Sequence, residues 1–531
     1  MTGIPMFPDR RHHLGLPLLG VLLCECTLLT AVPDDSSAQG GVGPGGSGGT
    51  SATANGGTGG AGATGAGGAA LSCPSEFAVS LGNDASGVTI THAALTPTGH
   101  VVVGGPFNES FAFAPGLNAE PTSSDDYFVG AFDPVGQGSW LFQLGAPNAN
   151  GLGLDDIEAT SDGGVVVAVR ASGGTSGAVL DLVEPLEIPP NAQNGFIIKL
   201  GSSGAIEWVK HLEGPGMNWL RSVAEAPNGD IIAAGSAGLG ASIEGMDLGL
   251  TSTTQAPFVL RASSAGTVTY AHAYPTGSGY VTDVAVADQA TFLFGSFYGI
   301  FPDPGVVNVP PSADESDLFL ISLDESGDAI GGYAFGSDGR EDYSSGLVDL
   351  GDGLLLYGIL FSPGASPKGV VWGGLDEQSV PDDIPVSYIG KVGYDGSGEW
   401  FTSFRFQALN FSGSRQVAIT RPHSGLLTLG HFHADFGQPI GAEAFGEFHT
   451  TPDTDSMWLS LDENGQELGL RRFGSAVNAE VYLNLRGTPC GDIVFGRYEG
   501  VMTYESTTYD GSSGRGFLAF HPEGVTFDPP P

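Results

Sequence analysis

The chain has 531 residues, 86 of them Gly and 35 Pro, with 18 basic side chains against 59 acidic ones. A net charge of −41 excludes holding a nucleic-acid backbone by counterion release and repels anionic lipid surfaces. A hydrophobic content of 41% excludes wholesale disorder.

Residues 1–38 read as an export signal. Arg10 and Arg11 precede the apolar run from Leu14 to Leu23, and Glu25 interrupts it. A run of about ten apolar residues is too short to span a bilayer and suits a signal peptide, so no transmembrane span is expected. Ser36-Ser37-Ala38 offers a small-x-small cleavage pattern. Cys24 and Cys26 sit where a bacterial lipoprotein carries its lipidated cysteine, but Leu23 or Glu25 stands where a lipobox wants a small residue. Release and lipid anchoring both stay open. Residues 39–72 form a linker made almost wholly of Gly, Ala, Ser and Thr, too poor in apolar groups to offset its backbone entropy.

From residue 73 to 531 the chain repeats itself. Each copy opens with an alternating run, a polar-Gly turn and a β-rich run, as in IEATSDGGVVVAV from Ile157 and VAEAPNGDIIAAG from Val223. A second run with its own turn follows, as in FIIKLGSSG and LFLISLDESG. An aromatic or apolar run comes directly after that turn, opening at Trp140, Trp208, Tyr270 or Trp400. The first-turn glycines 99, 164, 229, 353, 425 and 491, with Gln289 in the fourth copy, recur at about 65 residues. Seven copies of four short strands, with no 3.6 period in them, predict an all-β, seven-bladed β-propeller of four-stranded antiparallel blades.

Strands are lettered a to d from the axis outward. FAVSLG, from Phe77, matches strand d with no a, b or c before it, while the last copy ends in a poor d strand, VTFDPPP. The N-terminal strand is therefore expected to fill the outer place of the seventh blade and close the ring. Cys73 lies just before that strand and Cys490 in the a–b turn of the seventh copy, on the same face, so a Cys73–Cys490 disulfide is expected.

The pattern YAFG before Ser337, CGDIVFG from Cys490 and LFLISLDESG from Leu318 resembles the bacterial β-propeller repeat of the SBBP type. The signal and tether resemble those of myxobacterial surface proteins and lipoproteins. The resemblance covers nearly all of residues 73 to 531 and implies a secreted or surface address. It implies no assigned chemistry.

Candidates for chemistry are sparse. His431 and His433 stand two apart on one strand side, with Asp435 next in line, a weak metal pattern without a clear third ligand. Aspartates such as Asp324 and Asp462 read as Asx-turns at hairpin tips, and no calcium loop of the EF-hand type appears. Trp140, Trp208, Tyr270 and Trp400 read as packing between blades. No cofactor and no catalytic residue is expected. The long b–c connections, such as Phe107 to Asp126 and Ser362 to Pro385, leave one face together and are the candidate interaction surface. The leading expectation is a monomeric, non-enzymatic module binding an extracellular protein or polysaccharide through these loops. The alternatives are a hydrolase or other carbohydrate-active enzyme in the central funnel, and a structural envelope component. An enzyme would gather acidic or His side chains with perturbed protonation in an axial pocket; a binding module would show a broad face with exposed aromatics.

Overall fold

A computed structural model describes residues 71–522 apart from short breaks, the longest being 299–315, 361–368 and 407–417. Residues 1–70 and 523–531 lie outside the described residues, and with them the stretch read as an export signal, most of the expected linker, Cys24, Cys26 and the VTFDPPP segment. Among the described residues every regular element is a strand, and no helix is long and apolar enough to cross a membrane.

The chain folds as an all-β propeller. In repeat 1 the strands His92–Leu95, Val101–Phe107, Asp126–Phe132 and Gly138–Leu144 pair in that order, each antiparallel to the next. The same a–b–c–d order recurs in repeats 2 to 5, whose inner strands are Gly151–Ala159, Trp219–Glu225, Ser278–Ala287 and Asp342–Asp349. In repeat 7 the strands Glu480–Thr488, Gly491–Tyr504 and Thr507–Pro522 serve as a, b and c. Against the seven blades expected, these six carry described packing. The sheet of repeat 6, spanning Ala418–Phe473, is described mainly by its backbone pairing.

Strand d of repeat 7 is the first strand of the fold. Phe77–Leu81 pairs antiparallel with strand c, Phe77 opposite Phe520 and Leu81 opposite Gly516. Cys73 and Cys490 are disulfide-bonded, with Cα atoms 5.2 Å apart across 417 residues of sequence. On either side of Cys73 the chain is held by the amides of Ser72 and Ser75, which donate to the carbonyls of Pro97 and Pro134 at 2.9 Å. Closure therefore rests on pairing, a covalent bond and turn contacts together.

The aromatic residues of strand d join neighbouring blades. Trp140, Trp208 and Tyr270 lie over Gly204, Gly266 and Gly327, each in the c–d turn of the following repeat. Phe77 over Gly136, Tyr333 over Gly396 and Trp400 over Gly465 extend the pattern to six junctions. At Gly204, φ is +78° and an added Cβ would sit 2.5 Å from the Trp140 ring, so both the turn and the stacking require glycine there. The reading of these aromatics as inter-blade packing holds. The turn glycines need a small correction, because the left-handed residues of repeats 2 and 5 are Gly163 and Gly351 rather than Gly164 and Gly353.

The long b–c connections fold back on the blades. In repeat 1, Phe111 and Phe113 of a small hairpin pack their rings 5.2 Å from Phe128 and 4.6 Å from Phe132. The repeat 3 hairpin, Ser242–Asp247, adds to strand d of repeat 2 through Leu212 opposite Ile243. Hairpins of repeats 5 and 6 add in the same way to strand d of repeats 4 and 5. Ile243 and Trp372, from the apolar runs of these loops, are fully buried. These two residues cover blade edges, while Met246 and Val371 of the same hairpins stay exposed.

Candidate axial site

Strand a of repeats 2 to 5 carries the same defect. The register against strand b shifts between Leu154 and Asp156, Leu220 and Ser222, Val281 and Asp283, and Ser344 and Gly346. Each shift is a β-bulge, an extra residue outside the ladder whose side chain is re-aimed. The bulged residues are Asp155, Arg221, Thr282 and Ser345. Strand b makes room for the bend at Gly235, Gly295 and Gly358, where an added Cβ would lie 1.9–2.1 Å from a strand-a carbonyl oxygen.

The residue after each bulge ties its blade to the next. Asp156 Oδ2 accepts the Val223 amide at 2.9 Å and the Ser222 hydroxyl at 3.1 Å. Ser222 Oγ also hydrogen-bonds Asp283 Oδ1 at 2.6 Å, its single proton serving one of the two carboxyls and the other bond requiring a carboxyl proton, and Asp283 Oδ2 accepts the Leu347 amide at 2.8 Å. A chain of buried polar bonds thus runs through four consecutive inner strands. Burial raises the carboxyl of Asp156, and burial reinforced by the Asp156 charge pushes Asp283 up to about 7.

Arg486, from strand a of repeat 7, reaches across repeat 1 to repeat 2. Its Nη1 donates to the carbonyls of Ala93 at 2.9 Å and Ile157 at 3.0 Å, and its Nη2 bonds the Glu158 carboxylate. Both side chains keep about a third of their exposure, 35% and 32%, although protein surrounds them. They border a space open to solvent among the inner strands. His92 lies beside it with its ring hydrogen-bonded to the backbone of Asp155. Burial, then Arg486, lowers that imidazole to about 4 and keeps it neutral.

A second group lies toward the end from which the b–c connections leave. Trp219 opens strand a of repeat 3, and Arg170 stands near the end of strand b of repeat 2. Arg170 passes the innermost strand beside Gly153, where an added Cβ would meet its Nε at 2.7 Å. Its Nη1 pairs with Asp155 Oδ1 at 2.6 Å. The Arg221 guanidinium lies 4.9 Å from the Trp219 ring centre and 4.5 Å from that of Tyr280, with Arg170 at 5.6 Å from Trp219. Arg221 Nε and Asp155 Oδ2 are buried without a hydrogen-bond partner. Burial pushes the Asp155 carboxyl up to about 6, against the pull of Arg170 and Arg221.

None of these residues was singled out from the sequence. The signal present was a polar pair just before Ile157, Val223 and Val284, at the start of the quoted runs. Of the residues that were singled out, Cys73 and Cys490 are bonded to each other. His431 and His433 fall on one strand, opposite Met457 and Asp455, and their side chains, like Asp435, lie outside the described residues. Among the described residues no three His, Cys, Asp or Glu side chains group for a metal. The turn aspartates do behave as Asx-turns: Asp324 Oδ1 accepts the amides of Ser326 and Asp328 at 2.8 and 3.0 Å.

No family model matches the sequence, and no curated protein does. Among solved structures, virginiamycin B lyase from Staphylococcus aureus aligns with 84% of this chain and 100% of its own, at 10% identity and a TM-score of 0.38. An acylaminoacyl peptidase in complex with Z-Gly-Gly-Phe-chloromethyl ketone aligns with 66% of this chain and 58% of its own, at 11% identity and a TM-score of 0.25. The Pyrococcus horikoshii acylaminoacyl peptidase gives 68% and 52%, at 11% identity and a TM-score of 0.28. The alignments reach little more than half the length of those two peptidases. None of these likenesses carries an argument about chemistry.

Proposed function

We propose that this protein is an exported, envelope-associated propeller that binds an extracellular partner at the axial mouth, without catalysis. In this reading the sheet of repeat 6 is a blade like the other six, giving a closed ring of seven. The resemblance to the SBBP-type repeat, the short apolar N-terminal run and the Cys73–Cys490 bond support an extracellular or surface address. One observation carries the binding site. Arg170, Arg221 and Asp155 converge on Trp219 and Tyr280 with buried polar atoms left unpaired, whereas Ile243 and Trp372 of the loops are folded onto blade edges. Such unpaired groups cost free energy unless something meets them.

The test is a glycan array and pull-down with the full chain, Trp219→Ala, and a variant whose 369–379 hairpin is replaced by a short turn. Trp219→Ala is expected to lower partner binding at least ten-fold while the hairpin variant keeps it. Binding that follows the hairpin instead would return the site to the loops.

A second reading, an extracellular hydrolase in the funnel, is favoured by the converging carboxylates and by Asp155 held near pH 6. Against it, Asp156 and Asp283 are committed to backbone amides of the next blade, and Glu158 to Arg486. Mass spectrometry of a bound glycan after incubation separates the two: an unchanged mass supports binding, and cleavage supports the hydrolase.

A further inference from the structure

Resting on that axial-mouth reading, we infer that the ligand is an acidic sugar bearing a single carboxylate, as a uronic acid does, with Arg221 and Arg170 gripping the carboxylate and the sugar hydroxyls facing the acids behind. The charge of the site is the first argument. In a chain of −41 with only 18 basic residues, two arginines meet one carboxylate at this mouth. That leaves one positive charge in excess. Behind it, the acids Asp156, Asp283 and Glu158 gather around the single Arg486. A monoanion is attracted at the entrance, while a dianion such as phosphate is repelled by what lies below.

Geometry is the second argument. Arg221 makes no hydrogen bond or ion pair among the described residues, and its guanidinium is fixed between two aromatic rings. A planar fork fixed in this way matches a carboxylate, which accepts two parallel N–H bonds. The third argument is the acceptor behind the arginines. Glu158, about a third exposed and bonded to Arg486 through one oxygen, leaves its other oxygen for a hydroxyl donor, which a sugar has in number and a peptide terminus has not.

Calorimetric titration of the full chain with glucuronate, glucose, N-acetylalanine and phosphate tests this, with Arg221→Lys and Trp219→Ala alongside. The expected result is that glucuronate binds at least ten-fold more tightly than the other three. Arg221→Lys is expected to lose about ten-fold for glucuronate while its unfolding midpoint stays unchanged. Glucose binding as tightly as glucuronate, with Trp219→Ala abolishing both, overturns the carboxylate and leaves the axial reading standing. Equal binding of N-acetylalanine overturns the sugar in favour of a peptide terminus. Glucuronate binding unaffected by either substitution overturns both the inference and the axial site.

Discussion

The outer and inner rims of the propeller are joined by different means. At the outer rim one device recurs: an aromatic side chain of strand d lies on a turn glycine of the next repeat, at six junctions. Hairpins added to strand d, and the Cys73–Cys490 bond at the closing blade, reinforce it. At the inner rim the equivalent positions hold Asp156, Ser222, Asp283 and Gly346, and each makes its own contacts. Where the duty is the same at every blade, the residue repeats. Where the chain has to build a channel, the residue varies, and with it the charge.

The largest expected effect tests whether the inner strands have any slack. In Gly235→Ala the new Cβ would sit 1.9 Å from the Trp219 carbonyl oxygen, backbone against backbone, so strands a and b of repeat 3 must separate. We expect a loss of about 3 kcal/mol or more in denaturant unfolding. Gly116→Ala is the control, with φ at +83° and nothing within 4 Å of the new Cβ. Its cost should be about 1 kcal/mol, from backbone strain alone. Equal losses in the two variants would mean that the bulge is not locked, and the contrast between the rims would weaken.

That contrast also explains what could be read from the sequence. The outer devices are periodic: Trp140, Trp208, Tyr270 and Trp400 follow the c–d turns, and Phe77 fits the same place without strands before it. Closure by the N-terminal strand and the Cys73–Cys490 pair followed from that periodicity. The bulges are not periodic in this sense. One extra residue in a strand shifts every later side chain to the other face, so simple alternation hides whether Asp155 or Asp156 faces the channel. Arg170 was harder still, because it reaches the axis from the second strand, and only Gly153 permits that. The b–c loops were only partly legible, because sequence shows that a run is apolar without showing which blade edge it covers.

The outer rim is tested next at its covalent point. Cys490→Ala removes the bond across 417 residues and leaves the pairing of Phe77–Leu81 with strand c intact. A cost of about 3 kcal/mol is expected, with the parent falling to the variant's stability once a reductant is added. Parent and variant unfolding together without reductant would show that pairing alone holds the closing blade.

The smallest effect has the most distinctive sign. The Asp283 carboxyl, raised to about 7 by burial and by the Asp156 charge, holds its proton more tightly folded than unfolded. Unfolding therefore releases a proton between about pH 4 and 7, and this contribution to stability falls as pH rises through that window. His92, lowered to about 4 by burial and Arg486, acts in the opposite direction, because unfolding takes up a proton below about pH 6.5. The two partly cancel in the parent, so only a difference between variants isolates the inner rim. Asn at position 283 mimics the protonated acid: it keeps an oxygen for the Leu347 amide and a donor for Ser222, whose hydroxyl already lies 3.3 Å from the Val284 amide. Asp283→Asn should match the parent at pH 5 and exceed it at pH 8 by about 1–2 kcal/mol, after allowing for solvent in the channel. A parent that stays ahead at pH 8 would mean that the charged form, accepting the Ser222 hydroxyl and the amides of Val284 and Leu347 at once, is what joins the inner strands, and that the inner rim is built to hold charge rather than to shed it.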